Sequence, residues 1–241
     1  MSRYVVQAGW DHAPHLTEEA KKEIAAGLLP HVREARMNGV PSLGSGAIYP
    51  VAEADIVCEP FKIPAYYDRA YGLDVGWNKT AAIWGAWDRD NDVIYAYSEH
   101  YRGGVEPAVH AAAINARGKW IKGTIDPASR GRSQVDGRRL IDQYNKQALN
   151  LVFAENAVEA GLQEVYQRLS TGRLKIFSTL QNTLSEYRIY RRDDKGRIVK
   201  QNDHLMDALR YLVMMMHVIA GKPTVQRQRG HSTIADTSAG Y

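Results

Sequence analysis

Tyr71-Gly72-Leu73-Asp74-Val75-Gly76-Trp77 decides how the chain is read. It leads into Ala81-Ala82-Ile83-Trp84-Gly85-Ala86-Trp87, which is apolar and long enough for a buried strand. An acid between Leu73 and Val75, in a segment that otherwise reads as core strand, is costly unless something compensates it. Gly76 and Asn78 supply a tight turn into the next strand. Two readings of Asp74 stay open here. It is either a turn aspartate satisfied by backbone N–H groups, or an acid held at a strand end to face a cation.

Working outward, the pattern predicts strands at 71–75, 80–87 and 92–101, the last two joined by Asp88-Arg89-Asp90-Asn91. Short turns between consecutive strands make an antiparallel meander. A helix at 106–117, with Pro107 in its first turn, precedes Trp120-Ile121-Lys122-Gly123-Thr124-Ile125-Asp126, a fourth strand ending in an acid. A helix at 135–147, strand 151–153, helix 157–170 and strand 174–177 continue an α/β alternation. The stretch 187–200, centred on Asp194-Lys195-Gly196, reads as a two-stranded basic ribbon with a glycine turn. Asp203 to Met216 is a strongly apolar helix. Residues 1–62 read as a lead-in, with a helix from Thr17 as N-cap to about Leu29 and a glycine-rich loop at 39–46. Residues 63–221 form the main domain, and the polar tail begins at Lys222.

Composition narrows the class. The 241 residues are 44% apolar and 24% charged, an ordinary soluble balance, and no run approaches the length of a membrane span. One cysteine, Cys58, excludes an internal disulfide framework and fits a reducing cytosol. The net charge of +4 is small, so the placement of the basic residues matters more than their sum.

Asp74 and Asp126 share a setting, each the polar end of an apolar strand, and Asp207 sits one turn into a helix apolar on nearly every side. Buried carboxylates need partners, and lysine or arginine partners are not evident nearby in sequence. A hard divalent cation, Mg²⁺ or Mn²⁺, resolves the problem with carboxylate oxygens and water. Two such ions, with DNA bound, can activate an attacking water and stabilise a leaving oxygen on a phosphodiester. Asp203, one turn before Asp207, is either the helix N-cap or a further ligand. His204 is either a surface first-turn histidine or an accessory group holding a water or phosphate.

Gly72-Leu73-Asp74-Val75-Gly76-Trp77, Ile125-Asp126-Pro127-Ala128-Ser129 and Asn202-Asp203-His204-Leu205-Met206-Asp207-Ala208 together resemble the nuclease domain of a tailed-bacteriophage terminase large subunit, from about Ile63 to Met216. The resemblance implies a ribonuclease H-like mixed sheet and metal-dependent cleavage of double-stranded DNA during genome packaging. It also implies that Asp74, Asp126 and Asp207 are the metal-binding acids. The partners it implies are the terminase ATPase domain, the small terminase subunit and the portal, in the host cytoplasm. The segment Gly72 to Thr80 comes near a Walker A motif, but Asn78 stands where the glycine before the lysine belongs. The chain is therefore expected to be an isolated nuclease portion that does not translocate DNA by itself.

Two basic clusters flank the acids in sequence: Arg130, Arg132, Arg138 and Arg139, then Arg188, Arg191, Arg192, Lys195, Arg197 and Lys200. Either is a solvated surface or a phosphate-backbone contact, and their placement favours duplex DNA without base reading. A same-fold junction resolvase or strand-transfer enzyme would use similar acids. A sugar-kinase or actin-like ATPase needs two such lobes, and only one is visible. A non-catalytic DNA-binding or motor-docking module is the remaining alternative.

Overall fold

The computed structural model describes residues 10, 13, 16–26, 46–76, 78–127, 140–193 and 195–223. Helix α1 (Glu18–Ala26) precedes a one-turn helix α2 (Glu53–Ile56) and a short strand β1 (Val57–Cys58). The meander follows as β2 (Asp68–Asp74), β3 (Thr80–Asp88) and β4 (Val93–Arg102). Then come α3 (Pro107–Asn115), β5 (Lys122–Ile125), α4 (Leu140–Lys146), β6 (Leu151–Phe153), α5 (Val158–Ser170) and β7 (Leu174–Phe177). Helices α6 (Gln181–Ile189) and α7 (His204–Ile219) close the domain. The strands form one sheet in the order β1-β7-β4-β3-β2-β5-β6. The meander pairs are antiparallel and every other neighbouring pair is parallel. This is the mixed α/β sheet expected from the sequence.

Strand alternation splits the segment before Asp74 between two cores. Tyr71 and Leu73 join Trp84, Ile114, Ile125 and Tyr144 under α3 and α4. Ala70 faces the other way, into the larger core of α5, α6 and α7. Gly72 lies on that same face, and there its lack of a side chain is required. A Cβ on Gly72 would sit 2.0 Å from the carbonyl oxygen of Ala208. The strand therefore carries α7 directly on its backbone, and Asp74, two residues on, points to the same helix. Helix α7 is apolar on nearly every side because it is enclosed, lying across β2, β3 and β5 with α5 and α6 against it. Full burial of Leu205, Leu209 and Leu212 contributes roughly 1.5–3 kcal/mol each.

Two expectations need correction. First, 187–200 is not a regular ribbon. Tyr187, Arg188 and Ile189 complete α6, and the hairpin shortens to 191–193 against 197–199, joined by the bridge Arg192↔Ile198 and by the Val199 N–H donating to the Arg191 carbonyl at 3.0 Å. Tertiary packing wins over alternation there, because the buried Tyr187 donates from its hydroxyl to the carbonyls of Val51 (2.7 Å) and Tyr49 (3.2 Å).

Second, the lead-in 1–62 contains part of the fold. Tyr49 and Ile56 are buried in the main core, and β1 adds a parallel edge beside β7. Gly221, the last residue of the expected domain, bridges Arg69 and ties the end of that domain to β2. The N-cap of α1 is as expected, with the Ala20 N–H donating to Thr17 Oγ1 at 3.2 Å. Trp77, Arg130, Arg132, Arg138, Arg139, the loop 39–45 and the tail beyond 223 lie outside the described residues.

Candidate metal and catalytic site

Asp74 ends β2 and Asp126 follows β5, its parallel neighbour. Leu73 pairs with Ile125 in register, and the Asp126 N–H donates to the Leu73 carbonyl at 3.3 Å. The two acids thus stand side by side at the carboxyl ends of adjacent strands, whose spacing is roughly 4.8 Å. An open cleft of about 600 Å³ lies beside them, lined by Asp126, Pro127, Phe153, Glu155 and Asn156. Open α/β sheets present their binding sites at this end. Seated on Gly72, α7 brings Asp207 and, at its start, Asp203 and His204 to the same place.

The acids are compensated by side-chain cations. His204 Nδ1 lies 2.8 Å from Asp74 Oδ2. Lys200 Nζ donates to Asp207 Oδ2 at 2.8 Å and sits 2.9 Å from Asp203 Oδ2. The Arg210 guanidinium donates to Asp207 Oδ1 at 3.0 Å. Of the three lysine or arginine partners not evident in the sequence, the structure supplies two, Lys200 and Arg210, both at Asp207, while Asp74 takes His204. Arg210 is one helical turn after Asp207, and Lys200 stands just before the helix.

Asp203 occupies the N-cap position, yet its side chain caps nothing. Its Oδ2, although within ion-pair reach of Lys200, is buried and poorly aligned, with no hydrogen-bond partner. The capping falls to Glu186 of α6, whose Oε2 accepts from the N–H groups of Leu205 (2.6 Å) and Met206 (3.3 Å). Sequence reading missed Glu186, and no local spacing relates it to a helix that starts eighteen residues later.

Electrostatics mark the same cluster. Burial pushes the Asp74 carboxyl above the ordinary aspartate range, His204 pulls against it, and the negative charges of Asp207 and Asp126 push further up. The hydrogen bond to Asp74 holds the His204 imidazole above its usual value despite burial. Burial alone would lower the Lys200 ammonium, but its hydrogen bond to Asp207 and the negative charge of Asp203 beside it outweigh that and raise it. Burial also raises Glu186, against the pull of its hydrogen bonds. The site is a pocket of crowded negative charge, which a cation relieves.

The donors fit a hard divalent ion: carboxylate oxygens only, one of them the unsatisfied Oδ2 of Asp203. As they stand, no three His, Cys, Asp or Glu side chains among the described residues converge closely enough to hold an ion. Lys200, His204 and Arg210 take up that space and charge.

The basic residues are less concentrated than the sequence suggested. Arg188 pairs with Glu53, Arg192 with Glu159, Arg197 with Asp193, and Lys200 with the acids of the site. Arg191 and Lys195 are exposed. Trp84 is core, with the Arg117 guanidinium 4.4 Å from its ring centre.

Acids at the carboxyl ends of two parallel neighbours, facing a helix that crosses the sheet, define a ribonuclease H-like domain. Residues 65–216 match the family described as Terminase RNaseH-like domain, and the chain belongs to it. Its similarity to the terminase large subunit of Salmonella phage P22 is 34% identity over 225 residues, covering 89% of this chain and 44% of that protein. The chain thus spans less than half the length of that relative. The P22 large terminase nuclease domain superposes with a TM-score of 0.68 at 30% identity, over 75% of this chain and 97% of that one. The large terminase nuclease of phage G20c, solved with bound magnesium, shares the fold at a TM-score of 0.54 and 13% identity, over 70% and 96% of the two chains.

Proposed function

We propose that this chain is the DNA-cutting part of a phage packaging terminase, an endonuclease that hydrolyses phosphodiester bonds of double-stranded DNA with Mg²⁺ or Mn²⁺. The observation that supports the reading is the placement of Asp74, Asp126 and Asp207 at the same end of the sheet, the first two by the register of β2 with β5 and the third by the seat of α7 on Gly72. These three acids are the residues we assign to metal binding, with Asp203 as a further ligand. Bound there, the ions would supply a polarised water and charge stabilisation at the leaving oxygen.

The protein's own groups prepare that site. His204 orients the Asp74 carboxylate through its 2.8 Å contact. Glu186 anchors the first turn of α7, and so fixes where His204 and Asp207 stand. The exposed Arg191 and Lys195, with Arg130, Arg132, Arg138 and Arg139, are our choice for contacts to the phosphate backbone. A duplex-cutting role within a terminase also makes the ATPase domain, small subunit and portal its partners, and the infected host's cytoplasm its location.

The test is plasmid digestion with and without Mn²⁺, for the wild type and Asp74→Asn. Cutting should require the metal, stop with chelator and be absent in the variant. Robust cutting in chelator overturns the assignment.

A further inference from the structure

The cations around the acids are not equivalent. Arg210 is buried, with its side chain only 3% exposed, and it belongs to the core. Lys200 differs in exposure and in attachment. Its side chain is 63% exposed while the two carboxylates it bridges are 8% and 12% exposed, so the ammonium closes the acid pair from the solvent side. It is carried by the irregular stretch between the Arg192↔Ile198 bridge and α7, next to the left-handed turn at Asn202 (φ 52°). No regular element fixes it. The contact with Asp203 is close in distance but poorly aligned, and it leaves Oδ2 without a hydrogen bond.

We infer that Lys200 is a resident counter-cation, holding Asp207 and Asp203 together in the metal-free protein and leaving when a divalent ion enters. This rests on the metal-binding reading above and adds a residue to it. The argument is one of competition for the same oxygens. Asp207 Oδ2 accepts from Lys200, and Asp207 Oδ1 is already engaged by Arg210. A metal therefore finds both oxygens of Asp207 already engaged by cations, and it competes with the exposed one for space and charge. With Arg210 alone, two buried acids would share one cation and repel each other, so the ammonium stabilises the fold while no metal is bound and weakens the metal's apparent affinity. Once displaced, a flexible, strongly hydrated ammonium at the rim of the site is suited to a DNA phosphate.

The test is calorimetric titration of Mn²⁺ into the wild type, Lys200→Ala and Lys200→Arg, without DNA. If the pairing holds in about nine molecules of ten, removing it tightens apparent Mn²⁺ binding about tenfold, while arginine restores the weaker value. Lys200→Ala should melt lower than the wild type without metal and gain more from added Mn²⁺. Equal affinity in wild type and Lys200→Ala overturns the role of Lys200 alone. No binding by any of the proteins overturns the metal-binding reading itself, and this inference with it. If Lys200→Ala does not fold, lysine side-chain NMR of the wild type decides. Mg²⁺ should move the Lys200 resonance to that of a solvated lysine, and a stationary resonance during Mg²⁺ uptake overturns the inference.

Discussion

The domain buries carboxylates in two different ways. At the start of α6, Glu99 accepts from the Asn182 N–H (3.0 Å) and Nδ2 (2.7 Å), and from the Thr183 N–H (2.8 Å) and hydroxyl (2.6 Å). In the turn after β3, Asp88 accepts from Tyr67, from the Asn91 side chain, and from backbone N–H groups. Those hydrogen bonds, that of the Asn91 side chain foremost, hold the Asp88 carboxyl below its usual range. At the other end of β2, Asp74, Asp203 and Asp207 have charged side chains for partners, and Asp74 is pushed up where Asp88 is pulled down. Neutral donors fixed by backbone geometry make an acid a permanent part of the fold. The acids of the candidate site are held by side-chain cations instead, and one of these, Lys200, is 63% exposed.

The sharpest way to break this comparison is to neutralise one acid from each group. Asp126→Asn should lower cleavage by at least about a thousandfold, equivalent to roughly 4 kcal/mol of activation. A variant that melts much lower while keeping its specific activity would make Asp126 a structural acid.

The next largest effect concerns the platform. Gly72→Ala should cost about 3 kcal/mol or more, because the new Cβ meets the Ala208 backbone and the packed helix cannot yield cheaply. A near-neutral melt would show that α7 does not rest on β2 as described. Glu99→Ala follows at about 2 kcal/mol, through the loss of charge-assisted hydrogen bonds at a helix N-terminus. The folded protein should keep its cleavage rate, since Glu99 braces α6 and does not touch the site. Loss of activity without loss of stability would blur the two groups of acids.

What the sequence disclosed follows the same division. The meander, the strand-end acids and the enclosed helix were legible because alternation and apolar runs are local. An acid interrupting such a run, as Asp74 and Asp126 do, stands out without coordinates. Lys200 and Arg210 were just as near to Asp207 in the chain and were passed over. Spacing does not say which way a side chain turns, and Lys200 was grouped with the surface cations of 187–200. That stretch misled for a second reason. Arg188, Arg192 and Arg197 look like one basic face in sequence, but each is matched to an acid, and Glu53 and Glu159 come from distant elements. The edge strand β1 has only two residues and no periodicity to detect. Nothing local in the sequence marks Gly72 out, because its reason is the helix above it.

The smallest expected effect tests whether polar groups outside the site are permanent in the same sense. His100 Nε2 and His110 Nδ1 are 2.8 Å apart beneath α3, and neither has an acid beside it in this contact. Burial, with the nearby charges of His110, Arg117 and Arg102, lowers the His100 imidazole to about 4. In the unfolded chain it returns to an ordinary value of about 6.5. Between those values the unfolded state binds the proton and the folded state does not, so stability rises with pH. The contribution is therefore complete above pH 6.5 and is lost as pH falls toward 4. A single proton is worth at most about 1.4 kcal/mol per pH unit, and partial solvent screening brings His100 below that. Urea midpoints measured from pH 8 to pH 4 should fall gently through this window and fall less in His100→Gln. Below about pH 4 the loss of Asp88, whose lowered carboxyl stabilises the fold only while ionised, should add to the decline in both proteins. Midpoints that fall by the same amount in the wild type and in His100→Gln would mean that His100 does not carry this pH dependence, since His204, raised by Asp74, acts in the opposite direction in both proteins.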